Sequence, residues 1–197
     1  MAYAPSETLV EPLPAPLSVK FVIAGGFGVG KTTFVGSVSE ITPLRTEAAM
    51  TETAKGIDDA SLVESKTSTT VAMDFGRITV ADDLLMYLFG TPGQDRFGFM
   101  WDDIVDGAMG ALVLVDTRRL DDCYPAIDYF EERGIPFVVV LNHFDTDHRP
   151  DIAAVRFALN IGNEIPFVDC DARDKESVKN ALLSMLEYLL LRLEEPG

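Results

Sequence analysis

The sequence predicts an α/β fold, a doubly wound and mostly parallel sheet of six strands with one antiparallel strand at its edge. Three observations predict it. Short runs that are apolar on both faces recur at 19–24, 109–115 and 136–141, as in strands covered by helices on either side. Helix-length segments separate the later runs, and strands joined in that way run parallel. Residues 69–80 alternate, and only Ala81, Asp82 and Asp83 separate them from a returning run at 84–89. This pair is therefore an antiparallel hairpin.

The elements follow in chain order. Residues 1–17 are proline-rich with small and acidic residues between. That composition makes neither a helix nor a ladder, so a flexible tail is expected before a single domain at 18–197. After the first strand, Phe34, Val35, Val38 and Ile41 share one helical face, and Pro43 ends that helix. Residues 42–68 are irregular, and a loop of that length inside a domain is functional or mobile. In the hairpin, Val71, Met73 and Phe75 share a face. Residues 99–105 predict a short helix carrying Trp101, and residues 120–132 a helix stopped by Gly134 and Pro136. The next helix starts at Pro150 with Ile152, Val155 and Leu159 inward. Residues 165–168 are the last strand. Asp174 caps the final helix, whose apolar stripe is Val178, Leu182, Met185, Leu186, Leu189 and Leu193.

Composition bounds the function. The 197 residues are 47% hydrophobic and 24% charged, as in a globular chain with a full core. A net charge of -16 argues against nucleic acid or an anionic membrane as the main partner. Cys123 and Cys170 lack metal-ligand spacing and read as buried free thiols of a reducing compartment. No apolar run has bilayer length, and neither a secretory signal nor a lipidation residue is present. The expected location is the cytoplasm, with no direct membrane anchor.

Residues 25–33 read GGFGVGKTT, and an apolar strand leads into them. The spacing Gly25-x-x-x-x-Gly30-Lys31-Thr32 is the phosphate-binding P-loop pattern. Glycines let the backbone curl so that successive N–H groups of Gly25, Gly26, Phe27, Gly28, Val29 and Gly30 form an anion cradle. The helix beginning there adds the unpaired N–H groups of Lys31, Thr32 and Thr33 and a positive dipole end. Lys31 reaches the β- and γ-phosphates in this pattern, and the Thr32 hydroxyl is a Mg²⁺ ligand.

With those residues in place, the chain resembles the small Ras-like GTPases over residues 18–194. The resemblance implies further nucleotide contacts in a fixed order. Thr70, in TTVAMDF, matches the switch threonine that binds Mg²⁺ and γ-phosphate, with the long loop before it ordering on the triphosphate. Gly90-Thr91-Pro92-Gly93-Gln94 matches the third motif, Asp-x-x-Gly-Gln, with Gly90 in place of the aspartate. The Gly93 N–H would contact the γ-phosphate and Gln94 would orient the attacking water. The missing carboxylate ordinarily steadies a Mg²⁺-bound water, so Mg²⁺ falls to Thr32 and Thr70. Asp116 offers a substitute carboxylate but reads better as a cap on the next helix. Asn142-His143-Phe144-Asp145 matches Asn-Lys-x-Asp. Asp145 would accept guanine's N1–H and N2–H₂, a donor pair that adenine lacks. Asn142 would tie this loop to the P-loop, and His143 stands where the lysine packs on the base. Asp171-Ala172-Arg173 loosely matches Ser-Ala-Lys, with the Ala172 N–H toward the guanine oxygen.

TTVAMDFGRI, LFGTPGQDRF, FMWDD and LNHFD more closely resemble the bacterial Ras-like proteins of actinobacterial conservons, the CvnD type, which are related to MglA-type GTPases. That resemblance implies a roadblock/LC7-type partner and a sensor-kinase-like membrane protein. The expected activity is that of a switch binding GTP and GDP with Mg²⁺ and hydrolysing GTP slowly, Gln94 and Lys31 being the catalytic residues. The alternatives are a nucleotide-holding scaffold with little hydrolysis and an ATP-using P-loop protein. Arg96, Arg118 and Arg119 lie near the right loops, yet none is obviously set to act in cis. Phe97, Phe99, Met100 and Trp101 are either a nucleotide-sensitive partner surface or the packing of a short helix.

Overall fold

A computed structural model describes residues 16–42, 44–50, 69–93, 95–144 and 151–194, with side chains described throughout except at 44–50, 69–72 and 95–97. The expected tail, apart from its last two residues, lies outside this set.

The strands are β1 (Leu17–Ala24), β2 (Leu44–Met50), β3 (Thr69–Ala81), β4 (Leu84–Gly90), β5 (Gly110–Val115), β6 (Phe137–Asn142) and β7 (Phe167–Cys170). They form one sheet in the order β2-β3-β4-β1-β5-β6-β7. β4, β1, β5, β6 and β7 pair in parallel, while β3 is antiparallel to both β2 and β4. The doubly wound, mostly parallel sheet with one antiparallel strand is therefore present. All six expected strands are in it, and a seventh, β2, occupies part of the stretch expected to be irregular. LRTEAAM carries no apolar alternation. Its pairing to β3 comes from backbone groups at an otherwise open edge, which a side-chain pattern does not reveal.

The central strands separate two cores by their alternation. Val19, Phe21 and Ile23 of β1, Leu112 and Leu114 of β5, and Val138 and Val140 of β6 pack under α1 (Lys31–Val38) and α5 (Lys175–Glu194). Val22, Val113 and Val139 face the other way, under α2 (Trp101–Val105), α3 (Tyr124–Glu132) and the segment containing α4 (Ile152–Ala158). Every residue of β5 and β6 is buried, which is what makes these runs continuously apolar.

Several boundaries shift for local reasons. α1 stops at Val38, so Ile41 lies beyond its face. A 3-10 turn, Leu120–Cys123, precedes α3, whose start holds Pro125 in the first turn where no N–H is needed. The last strand begins at Phe167, after Pro166, which has no N–H for the ladder. Ile152 opens α4 and is 39% exposed. Leu193 is 79% exposed because the 20-residue α5, about 30 Å long at 1.5 Å per residue, outruns the short strands it covers. Asp174 does cap α5, its Oδ2 accepting from the Ser177 N–H at 3.0 Å. Both cysteines are buried and free, and burial pushes Cys123 up to about 12 and Cys170 up to about 11. Among the described residues no helix is long and apolar enough to cross a membrane.

Candidate nucleotide-binding site

The loop between β1 and α1 sits at the carboxyl end of the central strand, where open α/β sheets bind ligands. Gly30 holds φ 106° as the N-cap of α1, and a Cβ there would stand 2.6 Å from Asn142 Nδ2. Only glycine meets both demands. The Phe34 N–H then donates to Gly30 O at 2.8 Å and the helix is under way.

Lys31 is buried and folded back across the loop. Its Nζ donates to Gly25 O and Gly26 O, each at 2.7 Å. Burial lowers its pKa to about 8, and the charge of Asp74 pulls it partly back. Gly93, from the loop after β4, closes on the same ammonium: a Cβ on Gly93 would lie 2.6 Å from Lys31 Nζ and 3.1 Å from Gly26 O. Lys31, the P-loop and the third-motif glycine thus converge.

The third-motif substitution has a structural counterpart on the neighbouring strand. Gly90 is the register partner of Asp74, and a Cβ at Gly90 would come within 3.0 Å of Asp74 Cβ and 3.3 Å of its Oδ2. The buried Asp74 carboxylate accepts from the Thr32 hydroxyl at 2.6 Å. A carboxylate therefore stands beside Thr32, but on β3 rather than at residue 90. The neighbouring Thr91 hydroxyl is buried with no hydrogen-bond partner among the described residues. Two hard oxygen donors at a phosphate cradle suit Mg²⁺, which takes one or two protein ligands and completes its shell with phosphate and water. Asp116 is not the substitute. It accepts from the Arg118 N–H at 3.0 Å and from that guanidinium at 2.8 and 2.7 Å, and these bonds hold its pKa down. Asp116 directly follows β5 and organises the turn after it rather than capping the next helical segment, which starts at Leu120.

The base-side loops are joined by one side chain. Asn142, at the end of β6, is buried. Its Nδ2 donates to Val29 O at 2.8 Å, and its Oδ1 accepts from the Ala172 N–H at 3.0 Å. The P-loop, fourth-motif and fifth-motif segments meet there. In this structure the Ala172 N–H is engaged by Asn142. A pocket of about 140 Å³ is lined by Gly28, Gly30, Thr33, His143, Phe144 and Asp171, among others. His143 Nε2 lies 3.4 Å from Asp169 Oδ1. Arg173 pairs with Asp171 through Nε and Nη2, and that pair lowers Asp171 to about 2.

Gln94 and Asp145 lie outside the described residues. Thr70 is within β3, opposite Ala49, four positions before Asp74 and so about 13 Å from it along the strand. On the backbone it is thus set apart along β3 from Asp74, the partner of Thr32, and its side chain lies outside the described ones. Asp74 is the site residue that sequence reading missed. Its signal lay in TTVAMDF, an acid at a strand position facing a neighbour that has no side chain.

The model of a family described as "Conserved hypothetical ATP binding protein" matches residues 23–191. The chain belongs to that family. Members of the family are thus nucleotide-binding by description, and the P-loop of this one is built accordingly. A relative, Uncharacterized protein MJ1339 of Methanocaldococcus jannaschii, is 33% identical over 129 residues, 64% of this chain and 71% of its own length. The fold is similar to that of the G domain of the T. maritima FeoB iron transporter, with a TM-score of 0.61 at 16% identity, covering 87% of this chain and 99% of that one. The fold is that of a P-loop nucleotide-binding domain resembling a G domain.

Proposed function

We propose that the chain is a GTP-binding switch that uses Mg²⁺ and hydrolyses GTP slowly. The observation that carries this reading is the Asn142 clamp, which joins the P-loop at Val29 to the Ala172 segment and leaves a pocket between them. That geometry supports a reading in which the loop that contacts the base is tied to the phosphate cradle. Asp145 belongs to that loop and supplies the guanine preference in this reading.

Thr32 and Asp74 would hold Mg²⁺. When bound, Mg²⁺ neutralises charge on the β- and γ-phosphates. Lys31 leaves its carbonyl contacts for the phosphates, the Gly93 N–H faces the γ-phosphate, and Gln94 orients water for attack. Slow turnover belongs to this reading, with the loop glutamine placing the water. By the resemblance to conservon GTPases, we place the protein in the cytoplasm with a roadblock/LC7-type protein and a sensor-kinase-like membrane protein as partners.

The family's description names ATP, and that supports a second reading in which adenine nucleotide is bound. One experiment separates the two. Nucleotide extracted from the purified protein by denaturation is identified by chromatography, and the emptied protein is titrated with GDP and ADP, with and without Mg²⁺. Bound guanine nucleotide and a clear preference for GDP are expected. Adenine nucleotide, or equal weak binding of both, overturns the guanine switch.

A further inference from the structure

Asp116 is a buried carboxylate followed closely by two arginines that it sends in different directions. Arg118 is held by it in a two-pronged pair and lies over the Phe144 ring at 4.0 Å. Arg119 turns the other way. Its Nε is 3.6 Å from Asp116 Oδ2, its Nη1 is 3.2 Å from Asp122 Oδ2, and its Nη2 donates to Phe27 O at 3.0 Å. Phe27 forms the crown of the P-loop. The same residue meets the third motif, since a Cβ on Gly93 would stand 3.0 Å from Phe27 Cα.

Arg119 therefore borders a cavity of about 430 Å³ together with Gly26, Phe27, Gly93, Asp121, Asp122 and Pro125. Lys31 Nζ donates to Gly26 O and stands on the same side of Gly93 as Phe27 Cα. A terminal phosphate received by Lys31 and the Gly93 N–H would therefore lie beside this cavity, which Gly26, Phe27 and Gly93 also line. Asp121 and Asp122 would repel it, and among the described residues lining the cavity Arg119 is the cation. Its side chain is 48% exposed, so it can exchange a carboxylate for a phosphate at little desolvation cost, and its planar fork suits phosphate oxygens.

We propose that Arg119 is an in-cis arginine that contacts the terminal phosphate of the bound nucleoside triphosphate. The inference rests on the nucleotide-binding reading above. In the hydrolytic step, water oxygen bonds to the γ-phosphorus and the bond from that phosphorus to the bridging oxygen breaks. The bridging oxygen keeps the electron pair and leaves with the diphosphate, and the water proton passes to the phosphate released. Arg119 stabilises the charge spread over the γ-oxygens as the bond breaks.

The test is the affinity of a non-hydrolysable GTP analogue relative to that of GDP, measured with Mg²⁺ for the wild type and for R119A and R119K. If adenine nucleotide proves to be the bound species, the ATP analogue and ADP are used. R119A is expected to lower the triphosphate-to-diphosphate ratio by at least about fivefold. Single-turnover hydrolysis should fall by about tenfold or more, up to the roughly 10³-fold at the lower end of known arginine fingers, with R119K intermediate. If both affinities fall together and the ratio holds, Arg119 only braces Phe27 and the inference is overturned. If D122N restores the ratio in an R119A background, the residue merely screens Asp122, and direct contact is overturned. A wild type that binds both nucleotides but releases no phosphate sinks the hydrolytic half of the proposed function, while the ratio still judges Arg119.

Discussion

The Thr32 hydroxyl donates to the Asp74 carboxylate at 2.6 Å, linking the first turn of α1 to β3 opposite Gly90. In the proposed Mg²⁺ site, removing that carboxylate would leave Thr32 without the second oxygen donor beside it. D74A should weaken the Mg²⁺-dependent part of nucleotide affinity by about 10- to 100-fold, the range seen when groups supporting a metal are lost. Titration of a fluorescent nucleotide across Mg²⁺ concentrations checks it, and an unchanged Mg²⁺ dependence would remove Asp74 from the site.

The register also predicts a reciprocal exchange. G90D alone puts a Cβ 3.0 Å from Asp74 Cβ and 3.3 Å from its Oδ2, with a second carboxylate attached to it, and should destabilise the fold by about 1–3 kcal/mol through crowding and like charge. D74A/G90D restores one carboxylate on the same pair of facing positions. It should recover Mg²⁺ dependence that D74A loses. Denaturant midpoints and Mg²⁺ titrations of the three variants form a double-mutant cycle, and strict additivity would mean that the two positions do not share a role.

Lys31 gives a pH dependence with a definite sign. Its folded pKa is about 8 against an ordinary 10.5. A depressed pKa means that the folded protein sheds a proton the unfolded chain retains between those values. The associated stability is full above 10.5 and is lost as pH falls through 8. Phosphate beside the ammonium raises the pKa again, so binding takes up a proton above pH 8. Nucleotide affinity should be nearly flat below pH 8 and fall by up to about tenfold per pH unit above it. Calorimetry at pH 9 in two buffers of different ionisation enthalpy should show uptake approaching one proton. No uptake at that pH would mean that Lys31 is not the depressed group.

What was legible in the sequence divides along physical lines. The P-loop announced itself because its glycines answer to backbone geometry, and Gly30 is pinned by its φ and by Asn142. β5 and β6 were legible because burial on both faces leaves a continuous apolar run. β2 was not, because its pairing is made by backbone groups and LRTEAAM has no strand pattern. Asp74 was missed because its meaning depends on register: only with β3 laid against β4 does it fall opposite Gly90. Arg119 was noticed as close to the right loops, but its direction is set by Asp116 and Asp122 and by a contact 92 residues away. Leu193 misled because helical periodicity continues past the point where the sheet beneath it ends.

Asn142 offers a stability test tied to the site. N142A leaves Val29 O and the Ala172 N–H without the partners that hold three loops together. Loss of about 2–4 kcal/mol is expected from two buried groups left unpaired, along with weaker nucleotide binding. G30A should resemble it, since a methyl there meets Asn142 Nδ2 and the positive φ is unfavourable. Urea denaturation with and without nucleotide measures both effects. An N142A protein of wild-type stability would show that the clamp is incidental.

Trp101, the single tryptophan, resolves the reading of the aromatic segment and reports on the site. It is packed rather than presented, 9% exposed, with its ring edge-on to Tyr129 at 5.0 Å and stacked near Phe130 at 6.1 Å. Phe99 is 60% exposed, so among the described side chains of this segment a partner surface is carried there and not by the indole, Phe97 lying outside them. Trp101 and Gly93 nevertheless line one cavity of about 210 Å³ with Gly25, Gly26 and Tyr129. Movement of the Gly93 loop toward a terminal phosphate changes a wall of that cavity. Emission should be blue-shifted, as for a buried indole, and should differ between diphosphate- and triphosphate-loaded protein. W101A should cost about 3–5 kcal/mol as a large core truncation, whereas W101F should keep the fold and lose the signal. Identical spectra in the two nucleotide states would mean that the Gly93 loop does not respond to the terminal phosphate.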